Sequence, residues 1–324
     1  MAAESSTPYA RAREVIAKAR RITIVHHIDL DGIGAAAVVA RAARRWGASV
    51  KLLPTGARSA RRSIVRALRS SGPLGAVVVA DLSPGGSGDA ASIASALRLG
   101  RLVWFDHHAW EEKSRRMLEE AGAVLVLDRR RVTADIACLA VRCRGDPVSE
   151  KIVEIALADD SCRPHPLAEK WRIVLRILGP RSAARAAEAL ASGILWPDWA
   201  GEVYEKRAEE YFGRLRGSTR LFRYEFQGVK VAVLVPPPEI SGCDLERAGL
   251  VPGDVDVAVI AYPRGLSIRT MGGADASCVA GQLGGGGHSE VAGAPRPSLS
   301  MGPGQLARMV ARAFMACRAE GDGK

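Results

Sequence analysis

Short apolar runs alternate with longer amphipathic segments through the first part of the chain. The runs at 22–25, 50–53, 76–80, 102–105 and 123–127 are compact and rich in Val, Ile, Leu and Ala, which predicts strands. The segments between them, 34–46, 61–68, 89–97 and 111–121, repeat their apolar positions at helical spacing. Strands that are apolar without polar alternation are buried on both faces. The rhythm therefore predicts a parallel sheet covered by helices on either side.

From residue 134 the strand signals stop. Helices are predicted at 134–141, 149–157, 167–178, 182–190 and 203–215, punctuated by Gly179-Pro180 and by the stretch 193–197. The last hundred or so residues change again, with strands at 221–226, 229–235, 255–262 and 266–270. Gly228 between two of these suggests a hairpin. A helix at 276–283, a glycine cluster and a helix at 305–317 complete a second, smaller α/β domain. The expected class is thus α/β with two domains: 1–180 with the parallel sheet, 181–217 a helical connector, and 218–324 the smaller domain. A cleft between the two would house the site.

Composition narrows the function classes. A chain of 324 residues with 48% hydrophobic residues is too apolar to be disordered, and no apolar run suits a membrane span. The polar start lacks the apolar core of a secretory signal, so a cytoplasmic location without membrane contact is expected. The net charge is +11, and only eight of the 46 basic residues are Lys. Guanidinium forks suit bidentate contact with phosphate, which points to phosphorylated or polyanionic partners; thermal adaptation or base composition explains the same enrichment. The six cysteines form no CxxC pair and read as mostly buried thiols with room for a single bridge.

Chemistry gathers where the predicted parallel strands end, the edge at which open α/β sheets bind ligands. The first strand leads into His26-His27-Ile28-Asp29-Leu30-Asp31-Gly32, the third into Asp81, and the fourth into Asp106-His107-His108. One Asp after a strand is ordinarily a cap or turn residue. Three deliveries of carboxylate and imidazole to one edge repel and desolvate one another unless cations bind. Imidazole with several carboxylates and no thiolate suits manganese, with magnesium, cobalt or zinc as rivals. The surplus of ligands suggests two divalent ions sharing a bridging carboxylate, an arrangement suited to phosphate ester hydrolysis.

These residues resemble the first three motifs of the DHH phosphoesterase superfamily, in the same order and at similar spacing. The fourth motif of that superfamily is an aspartate, which Asp159 resembles, with Asp160 as the alternative. The resemblance, to the archaeal-type RecJ-like exonuclease and oligoribonuclease branch, implies that His27, Asp29 and Asp81 hold one ion. It implies that Asp31, Asp81, His107 and Asp159 hold the other, with His108 facing the scissile phosphate. Asp106 is expected to orient His107 or His108 from behind, and His26 reads as a strand-end residue.

In the second domain, Gly285-Gly286-Gly287-His288-Ser289-Glu290-Val291-Ala292-Gly293 closely resembles the GGGHxxAAG motif of the DHH-associated C-terminal domain, with Val291 in place of a small residue. Consecutive glycines let a backbone approach an anion and present N–H groups to it. By resemblance, Arg269, Gly285, Gly286, Gly287 and His288 hold the substrate's terminal nucleotide.

The leading expectation is a metal-dependent phosphodiesterase that shortens single-stranded DNA or RNA, or degrades short oligonucleotides to mononucleotides. Arg41, Arg44, Arg45, Arg58, Arg61, Arg62, Arg66 and Arg69 lie on or near the helices after the first two strands and could engage phosphates beyond the scissile one. A small-molecule phosphatase acting on 3′-phosphoadenosine 5′-phosphate or (cyclic) dinucleotides is the alternative. A replication scaffold that has lost its ligands is disfavoured because every acidic and histidine position is intact. Association with a helicase or other replication factor is compatible with activity.

Overall fold

The computed structural model describes residues 7–97 and 101–321, which divide into two compact units, 7–204 and 205–321. Outside the described residues lie the extreme ends of the expected domains and residues 98–100.

The first unit is built on five parallel strands: β1 (Arg21–His26), β2 (Ser49–Pro54), β3 (Gly75–Ala80), β4 (Arg101–Asp106) and β5 (Val124–Leu127), in the order β2-β1-β3-β4-β5. Each falls on an apolar run seen in the sequence. The alternation within a run decides which layer each side chain joins. Ala76, Val78 and Ala80 of β3 face one core, and Val77 and Val79 face the other. On the first face pack α1 (Pro8–Lys18), α2 (Leu30–Arg45), α6 (Thr133–Val141), α7 (Pro147–Asp160), α8 (Pro166–Leu178) and α9 (Ala183–Ala191). On the other pack α3 (Ala60–Ser70), α4 (Ser87–Ala96) and α5 (Glu112–Glu120). Residues of the stretch expected as a connector, including Ala183, Ala186, Ala187 and Leu190, belong to the first core. The long helix α10 (Asp198–Gly217) spans the division between the units.

The second unit contains a mixed six-stranded sheet of β6 (Arg220–Phe226), β7 (Val229–Val235), β8 (Val257–Ala261), β9 (Gly265–Thr270), β10 (Gly286–Gly287) and β11 (Val291–Pro295), ordered β10-β11-β9-β8-β7-β6. The β6–β7 hairpin turns through Gln227 (φ 53°) and Gly228 (φ 79°), the left-handed pair that a tight two-residue turn requires. Helices α11 (Gly242–Arg247), α12 (Ala276–Gly281) and α13 (Pro303–Gly321) complete the unit, with α12 and α13 packed on the sheet's core.

The cysteines depart from expectation. Cys138 and Cys143 form a disulfide at a Cα separation of 5.0 Å, and Cys278 and Cys317 form another at 6.0 Å. The second joins α12 to α13, a proximity that only the folded unit creates. No helix among the described residues is long and apolar enough to cross a membrane.

Candidate metal centre

In the first sheet, β2 lies on one side of β1 and β3 on the other, so the chain's direction of winding reverses between β1 and β3. Adjacent connections diverge at such a point and leave a crevice outside the carboxyl ends of the strands. His27, Asp81 and the Asp106-His107-His108 triplet emerge there. The backbone keeps their registration just beyond the strands: His27 N–H donates to Ala80 O at 3.1 Å, and Asp81 N–H to Phe105 O at 3.0 Å.

Asp29 caps α2, its Oδ1 accepting from Gly32 N–H at 3.1 Å. Glycine is required at 32 because a Cβ there would lie 2.7 Å from His27 Cβ. That close packing brings Asp31, in the first turn of α2, under the end of the sheet. Both Asp31 oxygens accept backbone N–H groups at the start of α6, from Thr133 at 2.7 Å and Ala134 at 2.8 Å.

Asp81 is the pivot. It is 2% exposed and takes φ 62°, a conformation that costs a non-glycine residue about 1–3 kcal/mol. Its two oxygens face different histidines. Oδ2 lies 3.5 Å from His27 Nδ1, whereas Oδ1 lies 3.4 Å from His107 Nε2 and 4.0 Å from His108 Nδ1. Potential ligand atoms accordingly fall into two sets that share this residue: His27, Asp29 and Asp81; and Asp81, His107 and His108. Asp31 Oδ2 lies 3.8 Å from His107 Nε2.

Of the paired aspartates ending α7, Asp160 has a ligand atom within 4.8 Å of one on His107. Asp159 Oδ1 instead accepts from Arg172 Nε at 2.6 Å. His26 is buried and bonds through Nδ1 to His27 O at 2.7 Å. Asp106 supports the histidines from behind. Its Oδ1 accepts from His107 N–H at 2.9 Å and bonds His108 Nδ1 at 2.7 Å, and its Oδ2 accepts Trp110 Nε1–H at 2.6 Å.

Electrostatics register the crowding. Burial, reinforced by the Asp81 charge, holds the Asp31 carboxyl well above its ordinary range. Burial would raise Asp81 too, but hydrogen bonds from His107 and His27 outweigh it and hold that carboxyl well below. The imidazoles respond in the opposite sense. Burial opposes their charge, yet the Asp81 hydrogen bond and the Asp31 charge push His107 up to about 10, and Asp106 pushes His108 up to about 9. The Asp160 side chain keeps access to solvent, but the protein around it pushes its carboxyl up to about 6 against the pull of His107. Such a cluster balances its charge by holding protons on its imidazoles. A divalent cation satisfies the same electrostatics while displacing those protons, so hard oxygen donors with neutral imidazoles fit it.

Thr133 and Trp110 had no signal in the sequence. Thr133 Oγ1 donates to Asp81 Oδ1 at 3.1 Å while its N–H holds Asp31, so one residue ties two carboxylates together. A threonine opening a helix looks like an ordinary cap, and nothing local marks its reach to residues far back in the chain.

In the second unit, Gly286–Gly287 pair with Gly293 and Ala292, and β11 pairs in turn with β9, which carries Arg269. Glycine at 285 and 287 has a packing cause. A Cβ at 285 would lie 2.0 Å from Gly293 O, and one at 287 would lie 2.6 Å from Ala292 Cα, at φ 151°. Gly286 alone of the three faces open space. His288 N–H donates to Val291 O at 2.9 Å and closes the turn. Arg269, 5% exposed, is ion-paired with Glu246 and donates from Nη1 to Ser267 Oγ at 2.8 Å. Burial lowers its pKa to about 10, which leaves it cationic at neutral pH.

No family model matches the sequence, and no curated protein matches it. Solved structures do. RecJ from Thermus thermophilus in complex with Mn2+ superposes with a TM-score of 0.64 at 14% identity, over 95% of this chain and 54% of that one. The chain thus spans about half the length of that RecJ. A DHH domain from a member of the s1p family of ribosomal proteins matches with a TM-score of 0.56 at 17% identity, over 95% of this chain and 88% of that one. An exopolyphosphatase-related protein from Bacteroides fragilis matches with a TM-score of 0.52 at 12% identity, over 96% of both chains. The chain has the fold of the RecJ and DHH-domain proteins, as its motifs implied.

Proposed function

We propose that this protein is a metal-dependent phosphoesterase that hydrolyses single-stranded nucleic acid or short oligonucleotides to mononucleotides, using two divalent ions, manganese foremost. The observation that carries this reading is Asp81, a strained and buried carboxylate whose two oxygens address two separate ligand sets. The fold it shares with an exonuclease RecJ structure bound to manganese, at 16% identity and a TM-score of 0.55 over 94% of this chain and 93% of that one, supports the class.

His27, Asp29 and Asp81 would hold one ion, and Asp31, Asp81 and His107 the other. Asp160 completes the second set in place of Asp159, whose carboxylate is engaged by Arg172. Bound there, the ions would supply an activated water at neutral pH and neutralise charge developing on the phosphoryl group. The chain's own groups do the rest. Asp106 fixes the His108 ring through Nδ1, which leaves Nε2 to donate to a phosphate oxygen. Trp110 and the His107 N–H keep Asp106 from rotating. In the second unit, Arg269, Gly285, Gly286, Gly287 and His288 are assigned to the substrate's terminal nucleotide, with Gly286 the position open to a ligand.

End-labelled DNA and RNA of graded lengths, incubated with manganese, test the reading. A ladder ending in mononucleotides is expected. Turnover restricted to dinucleotides or 3′-phosphoadenosine 5′-phosphate would transfer the assignment to a small-molecule phosphoesterase, and no hydrolysis of any of these would refute it.

A further inference from the structure

Eight arginines on or near α2 and α3 looked equivalent in the sequence, and the fold separates them. Arg41 and Arg45 pair with Asp146 at 3.2 and 3.6 Å, Arg44 with Glu188 at 2.7 Å, and Arg61 with Asp89 at 3.0 Å. Arg62, Arg66 and Arg69 have no carboxylate partner among the described residues, and all three are exposed. They lie at i, i+4 and i+7 of α3, one stripe of the helix. The opposite face, Ala60, Ile64, Ala67 and Leu68, is buried in the core beneath, so the stripe has a fixed direction. With Val65, Arg61 and Ser70 these arginines border an open space of about 660 Å³ along the outer surface of α3.

The stripe also has a defined relation to the candidate metal centre. β2 runs parallel to β1 with Pro54 opposite His26, and Thr55 N–H donates to His26 O at 2.9 Å. Ser63 Oγ, in the first turn of α3, donates to Thr55 Oγ1 at 3.1 Å. The start of α3 is therefore tied to the backbone beside His27. Arg62 sits next to that tie, and Arg66 and Arg69 follow at about 6 and 10 Å further along the helix axis. A row of unpaired guanidinium groups leading away from a phosphoesterase centre suits a ligand with phosphates at regular intervals.

We propose that the Arg62–Arg66–Arg69 stripe of α3 is a track for the phosphate backbone of a single-stranded nucleic acid whose end lies in the metal centre. Val65 between the arginines distinguishes this ligand from inorganic polyphosphate: a sugar or base has an apolar face to lay on it, and a bare phosphate chain has none. Guanidinium planes also stack on bases while contacting phosphate. The track deepens the phosphodiesterase reading by making the substrate a strand of several nucleotides. Its test is a binding measurement, so that failure of hydrolysis and failure of the track are told apart.

The probe is a fluorescently labelled 20-mer single strand, titrated with the full chain in chelator and followed by anisotropy at several salt concentrations. The triple variant Arg62→Gln, Arg66→Gln, Arg69→Gln is expected to weaken binding at least about tenfold. Loss of three phosphate contacts should flatten the log–log salt slope by about 2. The triple Lys variant keeps the charge and should recover part of the affinity, which excludes a folding defect as the cause. The pair Arg115→Gln and Arg116→Gln on α5 removes charge elsewhere and should leave affinity within twofold. The proposal is overturned if the Gln triple binds within twofold of wild type, if the α5 pair has the same effect, or if polyphosphate at equal phosphate concentration displaces the strand as well as unlabelled 20-mer does.

Discussion

The carboxyl edge of the first sheet and the glycine hairpin of the second unit both carry motifs that stand out in the sequence, but they stand out for different reasons. At the sheet edge, Asp31, Asp81 and His107 are unfavourable residues to bury together, and their raised and lowered pKa values register that conflict. Asp31 also accepts the N–H groups that open α6, but that role does not call for Asp81 and His107 beside it. In the hairpin, Gly285 and Gly287 are required by packing alone, because β11 leaves no room for a Cβ. A costly cluster is strong evidence for a ligand, whereas a glycine run becomes evidence only at the position that packing leaves unexplained. In this chain that position is Gly286.

The sharpest way to break the contrast is Asp81→Asn. Asn tolerates the left-handed backbone, so the fold should persist, while hydrolysis should fall on the order of 10³-fold. Manganese should raise the melting midpoint of the wild type and leave that of the variant nearly unchanged. Activity above about a tenth of wild type would contradict a shared bridging ligand.

Gly285→Ala should instead act on stability. Forcing a methyl group onto Gly293 O is expected to cost about 3 kcal/mol in denaturant unfolding, whereas Gly286→Ala should stay within about 0.5 kcal/mol. If Gly286→Ala weakens nucleotide binding at unchanged stability, the ligand role of the hairpin rests on that residue. Equal destabilisation by the two changes would dissolve the distinction.

Thr133→Val keeps shape and removes the hydroxyl that Asp81 accepts from. A loss of about 10–100-fold in manganese affinity or turnover is expected, read by metal titration and initial rates. Trp110→Phe removes a donor one step further back, to Asp106, and should cost about tenfold or less, carried by turnover with little change in the Michaelis constant. A Trp110 effect as large as that of Thr133 would show that orientation of His108, more than placement of Asp81, limits the reaction.

Much of the first unit was legible before folding was considered. All five of its strands coincide with apolar runs: the inner strands β3 and β4 are continuously apolar because both faces are buried, while β2 at the sheet edge keeps only a short run with Lys51 exposed. Strand β11 was not legible. Val-Ala-Gly-Ala-Pro has no apolar alternation, and it is a strand because β9 on one side and β10 on the other supply its hydrogen bonds. The different surroundings of Asp159 and Asp160 also escaped a local reading. Both end α7, and Arg172, thirteen positions on, engages one of them. The Cys278–Cys317 disulfide was missed for a related reason: the two residues are 39 apart, and the packing of α12 with α13 brings them together.

Hydrophobic periodicity and the order of its acidic and histidine motifs determined, from the chain alone, that this protein has a parallel α/β sheet with charged groups at one edge. Those properties are local, since they depend on which residues neighbour one another along the backbone. Tertiary structure alone decided that Asp81 faces two sets of potential ligand atoms, that Thr133 and Trp110 hold the carboxylates, and that Arg62, Arg66 and Arg69 on α3 have no carboxylate partner among the described residues. Each of these is a distance between residues far apart in sequence, set by how helices pack across a twisted sheet, and no periodicity records it.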